Sequence, residues 1–385
     1  HILSRYMTMV HMQRFRTRKV ERLLRQEKAD ALLVWNEEGS GQPATRWLSG
    51  FSGSSSVVLI VRTPSPHRLG TSPLKRGRGE GGSCFLITDG RYTAQTRKDA
   101  QGFKIFTSSA QKPTLKILSE IIRKHKVRRI LFDGSVTVHS VLEEVKEYVK
   151  KEDTPSSLSS KEGRRQEIEL ISRKHIFQEL RIVKEKEEIR LLAKAAEIAC
   201  LAFTKLLPEL HAGMTEKGIA KRLEDLMVEE GADGIAFPTI VASWKNGAHP
   251  HARPTDKKIR NGELVTIDFG ARYNGYVSDM TRTLAVGKVS PRLRKIYEAV
   301  RAAQELGRKK AKAGVTGAEI DAVCRQYLTK KGFGKYFTHS TGHGIGMGVH
   351  ELPHISPTST PSPRRLGTSP LKRGRGREEL PAGAV

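Results

Sequence analysis

The stretch VTIDFGARYNGYVSDMTRT at residues 265–283 decides the fold of the second half of the chain. Two runs rich in β-branched and aromatic residues flank Asn274-Gly275, a dipeptide typical of a two-residue hairpin turn because both turn positions require a positive φ. The stretch therefore predicts one β-hairpin in which Tyr273 lies opposite Tyr276.

Counting back from this turn places Gly270 opposite Asp279 and Thr281 opposite Asp268. The two aspartates become diagonal neighbours on one face, with Cα atoms roughly 7–8 Å apart. Two buried like charges repel, so we expect either a proton or a shared cation between them. The alternative that this stretch alone leaves open is an exposed hairpin with two solvated aspartates.

The composition is that of a globular protein. The chain has 385 residues, of which 37% are hydrophobic and 28% charged, enough for two domains with their own cores. No apolar run approaches the length of a membrane span, and the N-terminus lacks a secretory pattern. The cysteines Cys84, Cys200 and Cys324 lie far apart, which fits a reducing compartment. We therefore expect a cytoplasmic protein without a membrane partner.

A basic segment occurs twice. Residues 63–79 and 360–376 agree at sixteen of seventeen positions and carry nine of the 27 excess positive charges. A net charge of +27 by itself suggests a nucleic-acid partner. Segments so rich in Pro and Gly cannot build a core, however, and we interpret residues 63–82 and 360–377 as inserts in loops. We expect no nucleic-acid binding; nucleic-acid arms and Ser-Pro phosphorylation sites are the alternatives.

The hydrophobic pattern divides the chain into two domains. Residues 14–150 alternate strands with helices, which predicts an α/β domain whose strands at 55–61 and 83–88 pair around the first insert. Residues 151–180 predict a linker. Residues 181–385 predict an α+β domain, with helices at 184–207, 216–230, 292–312 and 318–331 around the hairpin. Because the chain begins at His1 and not Met, residues before about Arg14 are left out of this interpretation.

A glycine-rich segment with three histidines follows the last of these helices. It reads HSTGHGIGMGVHE at residues 339–351 and contains His339, His343 and His350. Repeated glycine in an extended strand marks close approach by a ligand or another backbone. Imidazole is the commonest neutral metal ligand near pH 7. Together with the paired aspartates, the segment predicts a metal site, which the loop carrying His249 and His251 could cover.

These motifs resemble the pita-bread metallopeptidases, and within them the Xaa-Pro aminopeptidase and prolidase branch. The segments WLSGFSG at 47–53 and TDGRY at 88–92 are similar to a creatinase-type N-terminal domain. The second half is similar through IVAS at 240–243, HPH at 249–251, DFG at 268–270, SDMTRT at 278–283 and residues 339–351. Methionine aminopeptidases share GHGIG at 342–346, but the first domain and the loop of His251 favour the proline-specific branch. The resemblance implies an α/β N-terminal domain followed by an α+β pita-bread catalytic domain.

The resemblance also implies a set of site residues. Asp268, Asp279 and His343 would bind two divalent metal ions, with Asp279 bridging them; manganese suits such a site, with cobalt or zinc as alternatives. His251 and His350 would orient the substrate and shuttle charge, with His339 in support. The implied function is a homodimeric Xaa-Pro aminopeptidase acting on proline-containing peptides. An Xaa-Pro dipeptidase and a non-catalytic pita-bread binding module are the alternatives.

The chain departs from the family pattern at one point. The resemblance implies two further glutamate ligands, in strands that follow the segment of His343. Val385 lies about where the first of these strands would begin, and Glu351, Glu378 and Glu379 lie at other points of the pattern. We therefore expect a catalytic domain that is incomplete at its C-terminus, binds metal poorly and has little or no peptidase activity.

Overall fold

A computed structural model describes residues 2–38, 43–63, 83–151 and 167–359 of the chain. These residues form two units, which meet in sequence at Leu180 and Arg181. The predicted inserts lie outside the described residues, except for Thr63 at the edge of the first. Among the described residues, no helix combines the length and the apolar character needed to cross a membrane.

The first unit is built on one mixed β-sheet. Its strands are β1 (Ala31–Asn36), β2 (Ser56–Val61), β3 (Ser83–Asp89), β4 (Lys104–Ser108), β5 (Arg129–Asp133) and β6 (Glu169–Arg173), and its helices are α1 (Ile2–Gln26), α2 (Ala44–Ser49), α3 (Thr93–Asp99), α4 (Thr114–Lys124) and α5 (His139–Lys151). The strand order is β4-β3-β2-β1-β5-β6. All six residues of β2, SVVLIV, are buried, as expected for a central strand covered on both faces. The predicted α/β fold is confirmed.

The strands on either side of the first insert are hydrogen-bonded neighbours, as predicted. β2 and β3 pair antiparallel, and the last residue of one, Val61, lies opposite the first residue of the other, Ser83. The insert therefore connects two strand ends that are already adjacent. Such a connection tolerates added length, because the entropy cost of closing a loop grows only logarithmically.

One feature of this unit differs from the prediction, and another lies where no prediction was made. The region 151–180, assigned to a linker, contains β6 and the helix α6 (Ile176–Arg181), and β6 pairs in parallel with β5. The sequence ELISR gives β6 only two apolar residues, Leu170 and Ile171, too few for a recognisable strand pattern. The first helix begins at Ile2, well before Arg14.

The second unit combines helices with three small antiparallel sheets. Its helices are α7 (Lys186–Leu206), α8 (Glu216–Glu229), α9 (Pro291–Lys310) and α10 (Gly317–Lys330), and its strands are β7 (Gly234–Ile235), β8 (Ile240–Ser243), β9 (Glu263–Phe269), β10 (Ala271–Tyr273), β11 (Tyr276–Val277), β12 (Met280–Val286), β13 (Gly342–Gly344) and β14 (Glu351–Ile355). The sheets are β12-β9-β8, β11-β10-β7 and β13-β14. The predicted α+β fold is confirmed.

The core of this unit lies between β9 and the helices α7 and α8. Val265, Ile267 and Phe269 alternate with less buried residues along β9 and enter the core. Phe203 of α7 stacks on Phe269 with ring centroids 5.3 Å apart. Because side chains alternate between faces along a strand, Asp268 lies on the face opposite this core.

The hairpin has the predicted register on both sides of Gly270. Tyr273 lies opposite Tyr276 in β10 and β11, and Asp268 lies opposite Thr281 in β9 and β12. The turn residues Asn274 and Gly275 have φ values of 48° and 83°. Both lie in the left-handed region that the Asn-Gly dipeptide predicts.

The hairpin is interrupted at Gly270, between β9 and β10. A Cβ atom there would lie 1.9 Å from the carbonyl oxygen of Ser278 on the opposite strand. The Ser278 hydroxyl accepts a 2.9 Å hydrogen bond from the backbone N–H of Ala271 and closes the gap. Gly270 thus lets the two arms approach where the hairpin passes from one small sheet to the next.

Candidate metal and active site

The two aspartates of the hairpin are partly buried carboxylates. The hydroxyl of Thr281 donates a 2.9 Å hydrogen bond to Oδ1 of Asp268. Burial raises the pKa of Asp268, the negative charge of Asp279 raises it further, and the Thr281 hydrogen bond opposes both. Burial likewise raises the pKa of Asp279, against the lowering effect of His343 and His350. Among the described residues, neither carboxylate forms an ion pair with a lysine or arginine.

His343, on β13, approaches the hairpin. Its Nε2 lies 3.6 Å from Oδ2 of Asp279, and the two side chains are 23% and 26% exposed. Its Nδ1 lies 3.0 Å from the carbonyl oxygen of Gly344 and must donate there, since a carbonyl oxygen only accepts. In the neutral ring, the lone pair of Nε2 therefore faces the carboxylate of Asp279. A cation between these two acceptors would satisfy both.

Two further histidines lie near this pair. The ring of His350 is 4.2 Å from that of His343, centroid to centroid, at an interplanar angle of 49°. Burial and the neighbouring His343 lower the pKa of His350, which favours its neutral form. His251 is exposed, and its charge acts on Asp268. The structure therefore brings together five of the six predicted site residues.

His339 is the predicted residue that the structure does not bring to this group. Its ring contacts the edge of Phe337, with centroids 4.9 Å apart, and its carbonyl accepts a 3.0 Å hydrogen bond from Arg325. It lines a groove of about 970 Å³ beside α9 and α10. In the described part of the chain, no hydrogen bond or ion pair joins His339 to either aspartate.

Two positions near His343 require glycine, because neighbouring atoms leave no room for a side chain. We refer to residues 344–350 as the histidine loop. A Cβ on Gly344 would lie 2.3 Å from the carbonyl oxygen of Leu352, and one on Gly346 would lie 2.3 Å from the carboxylate of Glu351. Only Gly342–Gly344 forms a strand, so the extended strand predicted from the glycine run is mostly a loop. The close approach that the glycines predicted is made by another backbone and by a buried side chain.

A buried glutamate that the sequence analysis missed organises the loop of His251. Glu216 is fully buried at the start of α8, and its carboxylate accepts hydrogen bonds of 2.7–3.1 Å from Ser243, Asn246 and Thr255. Burial alone would raise the pKa of Glu216, but these hydrogen bonds outweigh it and lower the pKa. In the sequence, Glu216 is an ordinary acidic residue at the start of a helix, where a negative charge is favourable. The only sequence signal for its role in the loop is the polar character of residues 243–255.

The donor set fits divalent metal ions in its chemistry. Two carboxylates and one imidazole suit manganese, cobalt or zinc, and a cation would relieve the repulsion between the aspartates. The side chains are not arranged around a common point, since no three His, Cys, Asp or Glu side chains of the described residues could hold a metal ion as they stand. The residues thus supply the ligand types, and binding would draw them closer together.

Comparison with known proteins identifies the family of this chain. The sequence pattern of metallopeptidase family M24 matches residues 190–376, and that of the Creatinase/Prolidase N-terminal domain matches residues 16–165. The uncharacterized peptidase YqhT of Bacillus subtilis is 34% identical over 342 residues, which cover 89% of this chain and 85% of that protein.

Two solved structures share the fold over most of the chain. The X-Pro aminopeptidase of Thermotoga maritima has a TM-score of 0.74 at 32% identity. The match covers 93% of this chain and 86% of that structure. The Xaa-Pro dipeptidase of Bacillus anthracis has a TM-score of 0.75 at 33% identity. The match covers 89% of this chain and 86% of that structure.

Proposed function

This chain belongs to metallopeptidase family M24, and on that premise we propose that it is a metal-dependent Xaa-Pro aminopeptidase, which releases the N-terminal residue before proline. The observation that carries the proposal is the convergence of Asp268 and Asp279 from the hairpin with His343 from β13. A module without metal chemistry has no need to place beside an imidazole two partly buried carboxylates that, among the described residues, form no ion pair with a lysine or arginine.

Asp268, Asp279 and His343 are the residues that would hold the metal ions. When bound, such ions supply Lewis acidity toward water and the peptide carbonyl group. His350 lies against His343, is neutral near pH 7 and can take up or release a proton at the site. His251 reaches the site from a separate loop that Glu216 holds in place, which suits a role in orienting the peptide.

We expect weak metal binding, because the described donor set comprises three protein ligands for what the family resemblance treats as two ions. Manganese is the expected ion. A homodimer and a cytoplasmic location remain predictions from the sequence.

The test is metal content and hydrolysis by the purified 385-residue chain with added MnCl₂. The substrates are an Xaa-Pro dipeptide, an Xaa-Pro-Yaa tripeptide and an Xaa-Ala-Yaa tripeptide as the non-proline control. Cleavage of the proline tripeptide supports the aminopeptidase, and cleavage of the dipeptide alone supports an Xaa-Pro dipeptidase. Equal activity in an Asp279→Asn variant would show that the turnover comes from a contaminant and would defeat the proposal, as would the absence of both binding and turnover.

A further inference from the structure

Four charged side chains that are not among the predicted site residues are buried together in the second unit. They are Arg181, Lys184, Glu188 and Glu351, and their exposed fractions are 5%, 6%, 1% and 1%. We refer to them as the buried charge cluster. Charged residues are almost never fully buried unless they are paired, and here two cations balance two carboxylates.

Glu351 connects this cluster to the histidine loop. Its Oε1 lies 3.1 Å from Nη2 of Arg181, and its Oε2 lies 3.6 Å from Nζ of Lys184. The backbone N–H of Gly348 donates a 2.9 Å hydrogen bond to Oε1, and the loop passes so close that Gly346 has no room for a Cβ atom. The histidine loop is therefore wrapped around a fixed carboxylate.

Glu188 connects the same cluster to the hairpin. The hydroxyl of Tyr276, next to the hairpin turn, donates a 2.9 Å hydrogen bond to Oε1 of Glu188. The other carboxylate oxygen accepts a 2.9 Å hydrogen bond from the N–H of Glu185 and caps the start of α7. Lys184 interacts electrostatically with both Glu188 and Glu351, so the two ends of the cluster are coupled.

The hairpin and the histidine loop also meet directly. The backbone N–H of Val277 donates a 3.0 Å hydrogen bond to the carbonyl oxygen of Gly346. Each end of this bond adjoins a contact of the buried charge cluster. Val277 follows Tyr276, which binds Glu188, and Gly346 packs on Glu351. Displacement of either segment would strain all three contacts.

We propose that Arg181, Lys184, Glu188 and Glu351 are positioning residues that lock the hairpin to the histidine loop, so that the aspartates and histidines of the site face one another. Their purpose rests on the proposed function, whereas the mechanical coupling does not. The cluster reaches the hairpin through Tyr276 and the histidine loop through Gly348, so its effect on the site passes through these two segments.

The coupling is tested by hydrogen exchange, measured by mass spectrometry on the metal-free chain with Tyr276→Phe. This change removes one hydroxyl on the hairpin side only. We expect exchange at least about tenfold faster both around residues 276–277 and in residues 344–350, because local opening of one segment releases the other. Tyr273→Phe is the matched control, since Tyr273 is the cross-strand neighbour and its hydroxyl has no hydrogen bond within the described residues.

Faster exchange in the hairpin alone, or an equal increase over the whole second unit, would overturn the proposal. Glu351→Gln changes the contact on the side of the histidine loop. We expect it to speed hydrogen exchange at residues 276–277 of the hairpin. If that variant does not fold, Tyr276→Phe still decides the question.

A second readout separates positioning from general stability. With Tyr276→Phe we expect the affinity for MnCl₂, measured by calorimetry, to fall about tenfold while the thermal midpoint stays near that of Tyr273→Phe. An unchanged affinity would contradict the positioning role. If the parent chain binds no manganese, the proposed function fails, but the exchange experiment still tests the lock.

Discussion

The hydroxyl of Thr281 donates a 2.9 Å hydrogen bond to Oδ1 of Asp268, its direct partner on the opposite strand. This bond is the one described contact that lowers the pKa of Asp268 by hydrogen bonding, against the effects of burial and of Asp279. It therefore favours the ionised form of one of the two repelling carboxylates and fixes the orientation of that carboxylate.

Thr281→Val should weaken metal binding, because a carboxylate with a still higher pKa holds its proton more strongly against the metal. We expect the affinity for Mn²⁺ to fall about tenfold near pH 7, measured by isothermal titration calorimetry. Thr283→Val is the control, since Thr283 pairs with Thr266 in the same two strands through a 3.2 Å hydroxyl contact. Equal losses in both variants would contradict the role of Thr281.

Asp279→Asn should stabilise the metal-free protein at neutral pH. Its pKa is raised in the folded state, so the folded chain binds protons more readily than the unfolded chain between the ordinary value of 3.8 and the raised value. The contribution of Asp279 to stability therefore falls as the pH rises through this window, and the cost persists above it.

The measurement is the thermal midpoint of the metal-free parent and variant between about pH 4 and about pH 8. The variant should gain over the parent as the pH rises, while losing its affinity for Mn²⁺. A variant that is less stable at every pH would show that Asp279 has favourable partners instead.

Gly270→Ala should destabilise the second unit, because the new Cβ would lie 1.9 Å from the carbonyl oxygen of Ser278. Forcing extra atoms into a packed site costs about 1–3 kcal/mol, which thermal unfolding can detect. Gly90→Ala is the matched control, since a Cβ atom there would meet nothing within 4 Å and the φ of Gly90 is not positive. A cost equal to that of the control would contradict the close approach at Gly270.

Alanine substitutions of His343 and His350 should affect metal affinity and turnover differently, although the two rings are only 4.2 Å apart. His343→Ala removes a predicted metal ligand and should lower the affinity for Mn²⁺. His350→Ala should leave that affinity within about threefold and lower turnover about 10²-fold or more, as expected for a group that moves protons. The reverse pattern, seen by calorimetry and hydrolysis of an Xaa-Pro peptide, would exchange the two roles.

The hairpin could be predicted from sequence because its information is local. Asn274 and Gly275 fix the turn type, and the turn fixes every cross-strand pair up to Thr281 and Asp268. The same reasoning yielded the helices of the second unit, and the apolar periodicity of α7 and α8 matches their buried faces.

The buried charge cluster could not be predicted, because nothing in the sequence marks a charged residue as buried. Arg181 and Glu351 are 170 residues apart, as 351 minus 181, and each reads as an ordinary surface residue. Likewise, the glycines at 344 and 346 indicated a close approach but not its partner. Long-range pairing of polar groups is decided by tertiary packing, which a single sequence does not report.

The pairing of Val61 with Ser83 has a consequence for how this gene can change. Since the two strand ends are hydrogen-bonded neighbours, replacing residues 64–82 by a two-residue turn should stabilise the first unit by about 2 kcal/mol at most, through the lower entropy cost of closing a shorter loop. Each doubling of the length of this connection costs only about 0.6 kcal/mol, so moderate changes in its length have a small effect on stability. The connection between β2 and β3 is therefore a position at which insertions and deletions are tolerated while the two strands keep their register.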